Sequence, residues 1–227
     1  MKSTFALWWA VNMNVPTLYL SADCAPTTAL SRSAAMVTGD PRSSIAEAID
    51  ALSGSPGASW YYQEQVSDLN IAWSFDPKPT LDDIWCELDA YVEIHDSYPE
   101  LIVADNLMDI EVGGEGYEPQ TYAMGELHIL ARTTGACVMV LHHCRENPDG
   151  DKNFNPGWPP PRWHIKNKVD QKPEIILTVA HDKEHDLYRV AAVKVRDGES
   201  DEGAKNPIVL RVDPSICQFY PHSDWRG

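Results

Sequence analysis

Apolar positions recur at helical spacing over residues 2–14, with Phe5, Trp8 or Trp9 and Val11 or Asn12 on successive turns, which predicts a helix. Pro16 stops it, and residues 17–20 read as a short buried strand. A second helix is expected over 25–38, opened by Pro26 near its first turn, and a short one over 44–52 between Gly- and Pro-rich loops. Residues 71–75 form the next strand. Thr80 caps a helix that carries Asp82 and Asp83 in its first turn and runs to about Ser97. The segments 99–105 and 137–141 are apolar on both faces, as internal parallel strands are. A helix over 122–134 lies between them, and Gly135 ends it. After residue 146 the pattern changes. A Pro-, Gly- and Asn-rich stretch to 161 is followed by strands at 175–180, 187–195 and 208–212 with no helices between them. The pattern predicts an α/β fold: a mainly parallel sheet flanked by helices, extended at one edge by antiparallel hairpins. No internal repeat is visible, and residues 113–116 and 146–171 are expected to be mobile loops.

Composition narrows this further. The 227 residues suit a single domain over 1–227, and a hydrophobic fraction of 43% excludes wholesale disorder. The net charge of −16 excludes a globally basic surface, so any nucleic-acid contact must be local. Five cysteines without a Cys-x-x-Cys pair argue against a secreted disulfide scaffold and for reduced thiols in a cytoplasm. The apolar run 5–11 is interrupted by Asn12, Asn14 and Pro16 and is too short to span a bilayer, so no membrane association is expected.

Three short signals carry chemistry. Lys2-Ser3-Thr4, opening a helix, matches the tail of the phosphate-binding pattern Gly-x-x-x-x-Gly-Lys-Ser/Thr. There the Lys reaches the terminal phosphates and the hydroxyl holds Mg²⁺; three residues also match by chance. Asp105 ends an apolar strand at the edge where α/β sheets bind ligands, and can orient Mg²⁺ and its water, or only cap the following turn. His142 and His143 point to opposite faces of a strand end, which argues against their sharing one ion.

The order of motifs is more specific. Tyr19-Leu-Ser-Ala-Asp23, Asp76-Pro77 with Thr80 and Asp83, Leu101-Ile-Val-Ala-Asp105, Glu126 to Arg132, Val140-Leu-His-His143 and Lys194-Val-Arg196-Asp-Gly198 follow in sequence. Together they resemble the RecA-like P-loop ATPase core of DnaB-type replicative helicases and RepA-like phage and plasmid ATPases. The resemblance spans nearly the whole chain. It implies ATP and Mg²⁺ as cofactors, with Lys2, Ser3 and Thr4 binding nucleotide and Ser3 and Asp105 holding the metal. It gives Asp23 the water-activating place usually taken by Glu, a departure that shortens the reach to the water. It gives His143 the phosphate-sensing place and Arg196, beside Lys194, the arginine finger that enters a neighbouring subunit's site. It therefore implies self-association in a ring or filament, and the cytoplasm of a bacterial host if a phage encodes the chain. For DNA, single-stranded or forked, Arg162, Lys166, Lys168 and Lys172 with Trp158 and Trp163 combine charge with stacking surface. The loop 111–119 is acidic and poorly suited to phosphate. Lys194 and Arg196 equally fit solvated edge-strand charges, and the loop carrying Arg162 equally fits a surface lid.

One departure dominates. Met1 stands at the loop's second glycine, so the first central strand and the start of the phosphate loop are missing from these residues. Such a core is expected to expose two strand edges, and an upstream segment or a partner chain is expected to supply the strand. Two further readings stay open: a Mg²⁺-dependent nuclease on forked or branched DNA, using Asp23, Asp105 and Asp109 or Glu111, and a non-catalytic module that docks onto a helicase.

Overall fold

The computed structural model describes residues 1–50, 56–113, 118–145, 150 and 155–222. Of the stretches expected to be mobile, 114–116, 146–149 and 151–154 lie outside the described residues, whereas 155–171 holds two short 3-10 helices, Arg162–His164 and Lys166–Gln171.

Helix α1 (Lys2–Met13) ends at Asn14, whose left-handed backbone (φ 48°) closes the helix before Pro16. It leads into β1 (Thr17–Ser21), every residue of which is buried. Helices α2 (Pro26–Thr38), α3 (Arg42–Asp50) and α4 (Pro56–Val66) then pack as a layer around Ala34, Ala35, Ile45 and Ile49. Strand β2 (Ile71–Ser74) precedes α5 (Leu81–His95), which opens on a capping box: Thr80 accepts from the Asp83 amide while Asp83 accepts from the Thr80 amide. Strand β3 (Leu101–Asp105) is again wholly buried. Helix α6 (Glu118–Thr134) and β4 (Cys137–Val140) complete the alternating part.

The order β2-β1-β3-β4, with every pair parallel, makes the four-stranded parallel sheet that the doubly apolar runs require. Strands β5 (Ile175–Asp182), β6 (Leu187–Val195), β7 (Ile208–Asp213) and β8 (Gln218–Pro221) form an antiparallel meander in that order. The meander is a second sheet, and no described strand bonds it to the first. Among the described residues, β2 and β4 are the edge strands of the first sheet and β5 and β8 those of the second.

Two elements span the sheets, one on each side. From α1, Ala6, Leu7 and Ala10 pack on Tyr19, Leu101 and Val103 of the parallel sheet. From the same helix, Phe5 and Trp8 pack on Tyr188, Val190, Val212 and Phe219 of the meander. This is why α1 is apolar on so much of its circumference. The opposite side is spanned by the stretch from Ile165 to Val169. Val169 joins the core under α5 and α6, and Ile165 also meets Ala191 and Val193.

Two elements escape the sequence pattern. Helix α4 lies partly in what reads as a Gly-Ser-Pro-Gly loop, because Pro56 stands at the helix start, where its missing N–H is harmless. Strand β8, Gln-Phe-Tyr-Pro, lacks the apolar run that marks the equally short β2 and β4.

Candidate functional site

Helix α1 delivers its first turn to the C-terminal edge of the parallel sheet, where open α/β sheets bind ligands. No side chain caps it, so the amides of Lys2, Ser3 and Thr4 lack intrahelical acceptors and present the positive end of the helix dipole. Strand β3 ends in the same place. Ser3 Oγ donates to Asp105 Oδ1 at 3.1 Å, so the two residues expected to hold a metal meet directly. Thr4 is buried and turned into the core.

Asp105 is only 2% exposed. Burial raises its carboxyl above the ordinary value, while the bond from Ser3, the charge of Lys2 and the bond from Tyr19 pull it back down. Burial likewise lowers Lys2, against the opposing pull of Asp105, Asp23 and Asp109. The Lys2 ammonium lies 3.2 Å from His143 Nε2 and donates to it, which fixes the proton of the neutral ring on Nδ1. Desolvation, Lys2 and Lys166 all lower the His143 pKa. His142 turns elsewhere: its Nε2 lies 3.1 Å from the Lys166 carbonyl. The rings have different partners, although both lie beyond the end of β4 at Val140. Among the described residues no group of three or more His, Cys, Asp or Glu is placed to hold a metal.

Asp23 is exposed at the margin of this group, close enough to raise Lys2 and His143 but without a close partner of its own in the Lys2–Asp105 cluster. Asp109, in the turn Leu107–Asp109 after β3, keeps a buried Oδ2 with no hydrogen-bond partner among the described residues and acts electrostatically on the same two residues. Sequence reasoning missed Tyr19. Its phenol lies 3.3 Å from Asp105 Oδ2, a contact between β1 and β3 that no local pattern announces.

Lys194 and Arg196 stand apart from this group. Lys194 Nζ donates to the Asp170 and Gln171 carbonyls, both at 2.8 Å, and Arg196 forms a 2.6 Å ion pair with Glu174. Val195 pairs with Ile175 at one end of the β5–β6 ladder. Tyr188, which meets Phe5 of α1, pairs with His181 at the other. Strand β5 has eight residues, so the ladder separates Arg196 from the start of α1 by roughly 20 Å at about 3.3 Å per residue.

In the basic stretch, Arg162 is committed to ion pairs with Asp170 (3.0 Å) and Glu202 (2.8 Å). Trp158 is pinned by its bond to the Ala204 carbonyl (2.7 Å) and by Arg189 over its ring. Lys166 is half-buried near His142 and His143, whereas Lys168, Lys172 and Trp163 are exposed. The exposed members of this stretch are thus Lys168, Lys172 and the Trp163 ring.

No family model matches the chain. The gene 65 protein of Mycobacterium phage D29 is 33% identical over 226 residues, covering 96% of this chain and 93% of that protein. The gene 65 protein of Mycobacterium phage L5 is 32% identical over 213 residues, covering 90% and 76%. A DnaB-like replicative helicase, solved with its interactions with primase, superposes over 98% of this chain at a TM-score of 0.80 with 16% identity. The chain spans only 56% of that helicase. A solved ATPase domain superposes at 0.80 with 15% identity over 98% of this chain and 81% of its own, and the RadB recombinase at 0.57 with 12% over 98% and 86%. The fold is thus that of RecA-like, DnaB-type ATPase domains.

Proposed function

The chain belongs to the family of the mycobacteriophage gene 65 proteins, and we propose that it is the ATPase core of a DnaB- or RepA-like DNA helicase or translocase serving replication or recombination. The observation that carries this reading is the meeting of Lys2, Ser3, Asp105 and His143 at the start of α1, on a DnaB-type fold.

The residues present fit Mg-ATP in kind. A hydroxyl and a buried carboxylate 3.1 Å apart are the hard oxygen donors Mg²⁺ prefers. Lys2 and the uncapped amides of α1 suit phosphate oxygens. Bound there, Mg-ATP would supply a phosphoryl group for transfer to water. The chain's own residues do the rest. Lys2 orients the phosphates and Ser3 with Asp105 fixes the metal side. His143, bonded to Lys2, registers whether the ammonium has left it for a phosphate. Asp23 is the residue for the attacking water, reached from the margin of the site.

Arg196 serves a neighbouring subunit rather than its own. Its separation from α1 along the β5–β6 ladder supports this, and it makes a ring or filament the active form. Lys168, Lys172 and Trp163 receive single-stranded or forked DNA, with Lys166 behind them and Arg162 bracing the segment. No described helix is long and apolar enough to cross a membrane, and the work belongs in the host cytoplasm.

A Mg²⁺-dependent nuclease is the second reading, favoured by the buried Asp109 carboxylate oxygen, which has no described partner and acts on Lys2 and His143. Incubating the protein with forked DNA and Mg²⁺, with and without ATP, separates them. ATP-dependent strand separation is expected. ATP-independent cutting would give the site to the nuclease, and inert binding would leave a docking module.

A further inference from the structure

Helix α2 follows β1 and so begins at the same edge of the parallel sheet as α1. On it, Met36 belongs to the core beneath α1, with Ala6, Leu7 and Ala10. Arg32 stands four residues earlier on the same face of α2, about 6 Å nearer the sheet edge at 1.5 Å per residue. That brings it level with the first turn of α1. Its Nη1 donates to Cys24 Sγ at 3.7 Å, in the segment that joins β1 to α2. The Ala22 amide of that segment donates to the Asp105 carbonyl at 2.9 Å, so the segment adjoins the end of β3. Burial is the leading influence on the Met1 amine, the Tyr19 phenol and the Cys24 thiol, and the charge of Arg32 makes each easier to deprotonate. The guanidinium is therefore within electrostatic reach of the start of α1.

Arg32 is half-buried, and its Nε is enclosed with no hydrogen-bond partner among the described residues. No described carboxylate forms an ion pair with it, Asp23 included. A thiol sulfur is a weak acceptor, so most of a five-donor group is left without a strong one. Taking a cation partly out of water without an anion is costly, and the planar fork of Arg matches phosphate.

Lys2 lies on the other flank of the site. Its partner His143 follows β4, whereas Cys24 follows β1, and β3 with Asp105 runs between them. At about 4.8 Å per strand, the strand ends behind the two cations lie roughly 10 Å apart, a gap that a phosphate chain hydrogen-bonded at both ends can bridge. Resting on the ATPase reading of this site, we propose that Arg32 binds the terminal phosphate of a nucleoside triphosphate in its own subunit and makes the site prefer triphosphate to diphosphate. The terminal phosphate is the one assigned because Cys24 directly follows Asp23, the residue for the attacking water. Arg32 acts on binding and Arg196, from a neighbouring copy, on hydrolysis, so the two are separable.

The test is Arg32→Gln, which keeps a polar side chain and removes the charge and the fork. In calorimetry with Mg²⁺, affinity for a non-hydrolysable ATP analogue should fall about tenfold to a hundredfold, the range for hydrogen bonds to charged groups, while ADP affinity changes less than about threefold. Arg32→Lys, with the charge but not the fork, should recover part of the loss. Equal losses for both nucleotides, or none, overturn the assignment and leave Arg32 as a brace between α2 and Cys24. If Arg32→Gln does not fold, the wild-type protein carries the test. The ¹⁵N signal of its Arg32 Nε–H should move on adding the ATP analogue and far less on adding ADP; equal movement, or none, overturns the assignment. Inorganic tripolyphosphate separates the proposal from the reading beneath it. If the wild-type protein hydrolyses no ATP but binds tripolyphosphate, and Arg32→Gln loses that binding, the ATPase reading fails and Arg32 stands as an anion ligand. A wild-type protein that binds neither the ATP analogue nor tripolyphosphate overturns both.

Discussion

At the scale of single residues, burial rather than sequence neighbours decides the chemistry. His142 shows the effect on stability. Its Nε2–H is satisfied by the Lys166 carbonyl, but its Nδ1 is buried without a partner among the described residues, and burial lowers its pKa below 6.5. His143 and His181 are lowered for the same leading reason. A folded-state pKa below the unfolded value means the unfolded chain binds protons first on acidification. The stability these rings contribute is therefore complete above pH 6.5 and is lost as pH falls through their folded values. Thermal melts should show Tm falling progressively below pH 6.5. His142→Gln, which keeps a donor for the carbonyl and does not titrate, should flatten part of that limb. An unchanged slope would mean the ring is not the titrating group. The sequence could place His142 and His143 at a strand end and on opposite faces. It could not say that one ring would meet Lys2 and the other a carbonyl from the 166–171 turn, because both partners come from other parts of the chain.

At the scale of elements, α1 is both the floor of the site and the brace between the sheets. Its two apolar faces meet different sheets, so truncating one should loosen the molecule without touching the site's polar groups. Leu7→Ala empties a 2% exposed position against the parallel sheet and should cost about 2–5 kcal/mol, the range for buried Leu truncations. Denaturant melts would check it; a cost below about 1 kcal/mol would mean that α1 is not braced there. The strands and helices of the alternating half were legible in the chain, because buried parallel strands and capped helices leave local signals. The Thr80–Asp83 box and the doubly apolar β3 are the clearest. Helix α4 and strand β8 were not, since a proline at a helix start imitates a turn and Gln-Phe-Tyr-Pro holds no apolar run. The site was half legible. Lys2, Ser3, Asp105 and His143 converge as their motifs suggest, whereas Tyr19 and the Glu174 partner of Arg196 are set by strand pairing across the fold.

At the scale of the whole molecule, a net charge of −16 opposes a polyanion and Arg162 is committed to two internal ion pairs, so the proposed DNA contact asks for more than one copy. The β5–β6 ladder adds a second reason for more than one copy: it carries Arg196 roughly 20 Å from the turn that holds Lys2. A head-to-tail contact, in which one surface meets a different surface of the next copy, closes into a ring and brings such a residue to the neighbour's site. Complementation measures this directly. Lys2→Met should abolish ATP hydrolysis by removing the phosphate contact. Arg196→Ala should abolish it while leaving nucleotide binding intact. Mixed in equal amounts and allowed to exchange subunits, the two dead variants should recover activity, because about a quarter of interfaces then pair an intact Lys2 with an intact neighbouring Arg196. Recovery has no route if Arg196 acts within its own subunit, since every copy in the mixture lacks one of the two groups. A mixture as inactive as its parts, under conditions where wild-type subunits demonstrably exchange, would therefore return Arg196 to its pair with Glu174 as a surface ion pair and nothing more.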